Sequence, residues 1–193
     1  MQQAEKRMRY ILTHSMVELL NSMAFEKITI NLICEQANIN RSSFYRYYEN
    51  KYDLLTDSLP VITNNLFNLN DINQNNDLDY IKQSFHWAIS HKKLVKNIII
   101  SNEQYNTYLD LIKSASKSVH QTISSLSKDE LNNNQIFKTF LNSPDPDTSI
   151  EMFCGMVTGI IQILVEKNNI DDVKIDSLID YYAVKINQLH FSN

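Results

Sequence analysis

Glycine, proline and cysteine are scarce in this sequence. Its 193 residues include two glycines, three prolines and two cysteines. Turn-rich β folds depend on glycine and proline, so their scarcity argues against such a fold and favours helices, with asparagine marking many of the breaks. Both cysteines, Cys34 and Cys154, lie in apolar helical patterns, where a buried and unreactive thiol is expected.

The sequence also lacks the patterns of membrane and exported proteins. The first ten residues are polar and basic and are not followed by the apolar segment that a signal peptide requires. The longest apolar stretch, residues 153–165, is too short to span a bilayer. These features predict a cytoplasmic protein with no membrane partner.

Catalytic patterns are missing as well. The sequence has no phosphate-binding glycine loop, nucleophile elbow or metal-ligand spacing, and its five histidines are scattered. An enzyme built on a helical scaffold remains an alternative class, but no residues support it. We therefore expect no enzymatic activity, no cofactor and no metal site.

Charge is distributed unevenly along the chain, whose formal net charge is −4. Residues 1–55 hold 7 lysines and arginines against 6 acidic residues, and they contain all four arginines. The remainder holds 11 basic and 16 acidic side chains. Because phosphate binding needs locally placed cations rather than a basic whole chain, nucleic acid is expected to bind in the first part.

The most informative stretch is residues 29–55, TINLICEQANINRSSFYRYYENKYDLL. Thr29 is placed to cap a short apolar helix, and Asn38 is suited to the left-handed backbone that ends it. Asn40 is then placed to cap a second helix, predicted over residues 41–48. Two helices joined by such a turn form a helix-turn-helix, whose second helix enters the DNA major groove.

This stretch resembles the DNA-binding domain of the TetR family of bacterial transcriptional regulators. The matching residues are Thr29, Ala37, Ile39, Ser43, Phe44, Tyr45, Tyr47, Tyr48, Lys51, Leu54 and Leu55. Asn38 and Ser42 stand where the family usually has glycine, and Asn40 replaces the usual capping serine. The asparagines keep the backbone roles, whereas Ser42 adds a hydroxyl that can change the base preference.

The resemblance and the residue types together indicate which side chains meet DNA. Arg41, Ser42 and Arg46 are the candidates for base edges, since arginine can donate two hydrogen bonds to guanine. The other expected DNA-binding residues, chiefly phosphate contacts, are Thr29, Asn40, Ser43, Tyr45, Tyr47 and Lys51. For each tyrosine the alternative is a partly buried core aromatic, and for Tyr48 the core is the preferred prediction.

The chain is predicted to be all-α, with about nine helices in two domains. Residues 1–55 form a three-helix helix-turn-helix DNA-binding domain, and residues 56–193 form a helical domain for effector binding and dimerisation. The Asn- and Asp-rich residues 68–79 are the polar connection between the halves. The helices expected after this connection lie near 78–100, 103–127, 130–142, 147–167 and 173–190.

A mixed polar and aromatic stripe in the second domain suits a ligand cavity. Such cavities are mostly apolar and carry a few polar groups. The candidate ligand-binding residues are Tyr80, Ser84, Trp87, His91, Tyr105 and Tyr108. The alternative is an ordinary core in which tyrosine and tryptophan tips bond to the backbone.

The predicted helix near 147–167 is apolar on nearly all sides, so it needs cover on two faces. Gly155 and Gly159 lie one turn apart on it and would let another helix approach closely. The TetR resemblance implies that the last two helices pair with their two-fold mates. The candidate interface residues are Phe153, Gly155, Val157, Gly159, Ile160, Leu164, Leu178, Tyr182 and Ile186.

The resemblance implies a homodimeric, ligand-responsive transcriptional regulator. We expect a repressor that binds a near-palindromic operator of double-stranded DNA. An unknown small-molecule effector in the second domain would lower the affinity for DNA. The alternative is a TetR-like co-activator that acts mainly through a protein partner.

Overall fold

The computed structural model describes residues 2–66, 77–99, 101–102, 105–167 and 171–190, and nearly all of them are helical. This confirms the all-α prediction. Residues 68–76 of the predicted polar connection lie outside the described residues, and its last three residues begin a helix.

The described residues form eleven α-helices. In chain order these are α1 (Gln2–Ser22), α2 (Ile30–Gln36), α3 (Arg41–Phe44), α4 (Lys51–Leu66), α5 (Asp77–Ser90), α6 (Lys92–Ile98), α7 (Thr107–Ser125), α8 (Lys128–Asn133), α9 (Gln135–Asn142), α10 (Pro146–Glu166) and α11 (Asp172–His190). A 3₁₀ turn, Phe25–Lys27, precedes α2. Two short strands, β1 (Ser101–Asn102) and β2 (Tyr105–Asn106), pair in antiparallel fashion ahead of α7.

A polar side chain lies at each of the two breaks that raise the number of helices from the nine predicted to eleven. After α5, the His91 ring nitrogen Nδ1 lies 2.8 Å from the Trp87 carbonyl oxygen, which the His91 amide also contacts. Between α8 and α9, Asn134 has an extended backbone, and its side-chain oxygen accepts a hydrogen bond from the Phe137 amide at 2.8 Å. The Asn134 bond competes with a continuous helix, and apolar periodicity does not detect it.

The chain divides into two compact units, of which the first is Met1–Ile62 with Lys93–Asp110. Its core is apolar and comes mainly from α1, α2, α3 and α4. Deeply buried side chains there include Leu12, Met16, Leu20, Phe25, Ile28, Ile33, Phe44, Leu54 and Leu55. Asn97 of α6 is tied to this unit because its amide nitrogen donates to the Leu20 carbonyl at 2.7 Å.

The second unit is Thr63–Lys92 with Leu111–Asn193, and α5 packs in it against α10 and α11. Lys82 Nζ lies 2.7 Å from the Asp180 carboxylate, and His86 lies 3.8 Å from Asp176. Residue numbers therefore rise along α5 as they fall along α11, so the two helices are antiparallel. These ion pairs are largely exposed and add little to stability.

Among the described residues, α10 alone is long and apolar enough to cross a bilayer, judged by length and composition. Of its most apolar window, 44% is buried inside the protein. A buried core helix meets the same criteria, so α10 is weak evidence for a membrane span.

Candidate nucleic-acid interface

The helix-turn-helix is built from α2, a left-handed turn and α3. Thr29 Oγ1 accepts a hydrogen bond from the Leu32 amide at 3.2 Å, which caps α2 as predicted. Asn38 has a φ of 52°, and the Ile39 amide after it donates to the Cys34 carbonyl at 2.9 Å. The left-handed residue therefore ends α2 and turns the chain towards α3.

Two aromatic side chains anchor the recognition segment, residues 41–48, to the core. Phe44 is 0% exposed and Tyr48 is 2% exposed, in agreement with the prediction that both pack inward. Regular α-helix ends at Phe44 rather than at Tyr48, and the chain continues as turns. Because the anchors face inward, the other side of the segment stays in solvent. Its exposed side chains are Arg41, Ser42, Tyr45 and Arg46.

Arginines and tyrosines are paired on this exposed side. Arg41 Nη2 donates to the Tyr45 hydroxyl at 3.0 Å, and the guanidinium lies 5.8 Å from the centroid of the same ring. The Arg46 guanidinium lies 5.8 Å from the Tyr47 ring centroid. Contacts of this kind restrict flexible arginines while leaving guanidinium hydrogens free for another acceptor.

Asn40 begins α3 and contacts both of the serines that follow Arg41. Its Oδ1 accepts a hydrogen bond from the Ser43 amide at 2.8 Å, which confirms the predicted cap. The Ser42 hydroxyl lies 2.7 Å from the same oxygen. Ser42 is exposed, so its oxygen borders both the cap and the solvent.

A surface cleft of about 730 Å³ lies between α2 and the start of α3. Its lining residues are Asn31, Cys34, Glu35, Asn38, Ile39, Asn40, Arg41 and Ser43. Burial raises the pKa of the Cys34 thiol, so this cysteine is not an activated nucleophile. Within the described part of the chain, no group of three or more His, Cys, Asp or Glu side chains could hold a metal ion.

Comparison with known protein families identifies this segment. Residues 13–57 match the profile described as bacterial regulatory proteins, tetR family. In this segment the chain is similar to the TetR family. The match runs from α1 into α4 and contains the whole helix-turn-helix, which supports a role in DNA-binding transcriptional regulation.

Two further comparisons cover the whole chain. No curated protein matches it in sequence. Among solved structures, the dihydroxyacetone kinase operon activator DhaS is similar, with a TM-score of 0.47 and 16% sequence identity. That similarity covers 96% of this chain and 94% of the other.

Lys51, at the start of α4, points into the TetR domain. Its Nζ donates to the backbone carbonyls of Phe25, Glu26 and Ile28 at 3.0, 3.2 and 2.8 Å. Nζ also lies 4.4 Å from the Phe25 ring centroid. An ammonium group has three hydrogens, and here each has a backbone acceptor. A phosphate contact would have to break these bonds, so we leave Lys51 out of the DNA contacts proposed below.

Asp57 of α4 is a residue of the TetR domain that sequence reasoning missed. The Tyr48 hydroxyl donates to its carboxylate, and Arg9 Nη1 lies 3.4 Å from the same oxygen. The Arg9 guanidinium also lies 5.1 Å from the Tyr48 ring centroid. Burial, reinforced by the Asp57 carboxylate, raises the pKa of Tyr48, so its hydroxyl remains a donor. The cluster fastens the end of the recognition segment to α1 and α4.

The predicted ligand-binding residues fall in both units. Tyr80, Ser84, Trp87 and His91 belong to the second unit and Tyr108 to the first, and the Tyr105 side chain lies outside the described residues. Trp87 and His91 stack with ring centroids 4.2 Å apart. Ser84 Oγ donates to the Tyr80 carbonyl at 3.3 Å, so its hydrogen stays within α5.

Tyr80 differs from the other candidates because its buried hydroxyl has no hydrogen-bond partner among the described residues. Burial, and secondly the nearby Cys154, raises the pKa of this hydroxyl well above its usual value. Burial also raises the pKa of the Cys154 thiol to about 12. A buried hydroxyl without a partner costs about 1–3 kcal/mol. A polar group bound beside Tyr80 would remove that cost.

Four predicted dimer residues lie instead in the chain's own core. Phe153, Val157, Leu164 and Ile186 are 1–2% exposed, so they have no surface left for a partner, and the prediction is corrected for them. A methyl group at Gly155 would lie 3.7 Å from Ile112 Cδ1 of α7, so this glycine also faces its own chain. The remaining predicted residues, Gly159, Ile160, Leu178 and Tyr182, are partly exposed.

The exposed apolar residues of α10 and α11 are different ones. They are Met152 at 65%, Ile163 at 54%, Val173 at 77%, Tyr181 at 56% and Val184 at 37% exposure. Because α10 is apolar nearly all round, periodicity could not show which of its faces the chain itself covers.

Proposed function

We propose that this chain is a homodimeric, ligand-responsive repressor of the TetR type that binds a near-palindromic operator. The observation that carries the DNA-reading role is the exposed side of the recognition segment. Arg41, Ser42 and Arg46 are directed to solvent there, while Phe44 and Tyr48 hold the backbone. A rigid segment with free guanidinium donors suits the acceptor-rich edge of guanine.

The proposed contacts divide into two classes. Arg41, Ser42 and Arg46 read base edges. Thr29, Asn40, Ser43, Tyr45 and Tyr47 contact phosphates or support the segment that does. Hydroxyl, amide and backbone N–H groups of this kind fix the register of a protein on DNA without selecting sequence.

The two domains of the proposal are residues 1–55, which read DNA, and residues 56–193, which bind the effector and dimerise. Dimerisation is supported by the exposed apolar side chains of α10 and α11, two helices that pack against each other. Exposed apolar patches of this kind often mark protein interfaces. In such a dimer the two recognition segments would meet half-sites roughly 34–36 Å apart.

The effector is proposed to bind in the second domain, with the Tyr80 hydroxyl as one polar anchor. An effector that prefers a dimer with the wrong separation of recognition segments would lower DNA affinity by population shift. The two affinities are linked, so operator DNA would weaken effector binding by the same factor. We place the protein in the cytoplasm, where operator DNA and effector are both available.

A co-activator that acts through a protein partner is the competing function. The exposed Arg41 and Arg46 favour direct DNA reading, because a surface retained only for folding has no need of two free guanidinium groups. Tight operator binding by the purified protein alone would decide against the co-activator.

The test is binding of the purified protein to DNA from upstream of its own gene, across a salt series. We expect a site-specific footprint with two-fold symmetry, and we expect Arg41→Ala to weaken operator binding by about 5- to 150-fold. Lys174→Ala is the matched control, since it removes an exposed cation from α11. Weak binding that ignores sequence and vanishes at moderate salt would contradict the DNA-reading role.

A further inference from the structure

The directions of the hydrogen bonds around Asn40 are set by chemistry. The Ser43 amide can only donate, so the Asn40 atom 2.8 Å from it must be the side-chain oxygen. That oxygen can only accept, so the Ser42 hydroxyl 2.7 Å away must donate to it. The single hydrogen of Ser42 is therefore directed to the cap. Its oxygen offers only lone pairs to the solvent, where DNA would lie.

Arg41, next to Ser42, has the opposite hydrogen-bonding character. A guanidinium only donates, and one of its hydrogens goes to the Tyr45 hydroxyl at 3.0 Å. The remaining N–H groups stay available, and the contact with Tyr45 limits where they point. The recognition segment thus presents the Arg41 guanidinium, which can only donate hydrogen bonds, beside the Ser42 oxygen, which can only accept them.

In the major groove, a hydrogen-bond donor and a hydrogen-bond acceptor on the protein pair with different bases. Guanine offers two acceptors, which suit arginine, whereas only adenine N6 and cytosine N4 offer donors. A serine hydroxyl can ordinarily pair with either kind of group, because it can donate or accept. When its hydrogen is already directed elsewhere, that freedom is lost. Every base pair carries one amino group in this groove, on adenine or on cytosine. An acceptor on the protein therefore selects which strand carries the base with the amino group.

We propose that α3 reads each half-site with this donor–acceptor pair. Arg41 selects guanine, and Ser42 selects a neighbouring base that carries an amino group, adenine or cytosine, over guanine or thymine on the same strand. The inference rests on the proposed DNA-binding function and specifies what that function recognises. Ser42 is a specificity-determining residue because Asn40 fixes the direction of its hydrogen.

The experiment is selection of DNA from a random duplex pool by the full-length protein, repeated with Ser42→Ala. Wild type should enrich adenine or cytosine at one position of each half-site, by about fivefold over guanine or thymine. Ser42→Ala should lose this preference at that position only, and Ser42→Thr, which keeps the hydroxyl, should restore it. Ser124→Ala, an exposed serine on α7, is the control for a serine lost elsewhere.

A base analogue then tests the hydrogen bond itself. Replacing the selected base by an analogue without the amino group should weaken wild-type binding by about fivefold and leave Ser42→Ala binding unchanged. Equal losses in both proteins would overturn the inference, as would a Ser42-dependent preference for guanine or thymine. If wild type enriches no sequence, the proposed DNA-reading function fails, and the inference fails with it.

Discussion

At the scale of single residues, polar side chains of this protein differ in how completely their hydrogen-bonding groups are satisfied. The Lys51 ammonium has three backbone acceptors, whereas the buried Tyr80 hydroxyl has no hydrogen-bond partner in the part of the chain that the structure describes. An unpartnered polar group in a protein interior is rare and requires an explanation, since burying it without a hydrogen bond opposes folding. For Tyr80 the explanation we propose is the effector, which would supply the missing hydrogen bond.

Tyr80→Phe should stabilise the protein without effector. The substitution keeps the buried ring and removes the hydroxyl that lacks a partner, so the free energy of unfolding should rise by about 1 kcal/mol. Urea denaturation measures this change. Tyr181→Phe is the matched control, because the side chain of Tyr181 is 56% exposed and its hydroxyl can reach water. A loss of stability in Tyr80→Phe would mean that the hydroxyl already has a partner.

At the scale of elements, the Lys51 side chain joins the start of α4 to the segment that holds the 3₁₀ turn. Lys51→Met keeps the aliphatic length and removes the three hydrogen bonds to the carbonyls of Phe25, Glu26 and Ile28. We expect the free energy of unfolding to fall by about 1–3 kcal/mol, because those carbonyls lose their donor. Denaturation followed by circular dichroism measures the change.

Lys27→Met provides the comparison for Lys51. Lys27 belongs to the same turn but is exposed, so its replacement should change the free energy of unfolding by about 0.5 kcal/mol or less. Equal effects of the two substitutions would show that charge, and not the carbonyl contacts, is what matters at the start of α4.

At the scale of the whole molecule, the proposed dimer depends on the outer face of α10 and α11. Ile163→Lys places a charge in the middle of that face, where a partner would have to bury it. Light scattering at micromolar concentration should then report a monomer, and operator affinity should fall by about tenfold or more. Leu141→Lys on α9, with similar exposure at 46%, should leave the oligomeric state unchanged. A monomeric wild type would refute the dimer itself.

The parts of the fold that sequence reasoning predicted well are those decided by one residue's own chemistry. Thr29, Asn38 and Asn40 each act on their immediate neighbours, so caps and turn could be predicted from the sequence. The cluster of Tyr48, Arg9 and Asp57 could not, because its members are 9 and 48 residues apart and meet only after folding.

Prediction of the second domain was limited for a related reason. The apolar sequence of α10 indicates that other helices cover it, but it does not tell whether they belong to the same chain or to a second subunit. For this reason the sequence pattern places core residues such as Phe153 at a dimer interface. The direction of the Ser42 hydroxyl also needed coordinates, since sequence alone does not say which oxygen it faces.

The exposed arginines of the recognition segment have a practical consequence in proteolysis. All four arginines of the chain lie within residues 7–46, and Arg41 and Arg46 are both exposed. An arginine-specific protease that cuts after Arg46 would leave residues 47–193 as one fragment. Bound operator would cover the same two cleavage sites. The rate at which this fragment appears would therefore record operator occupancy, with the protein rather than the DNA as the molecule that is cut.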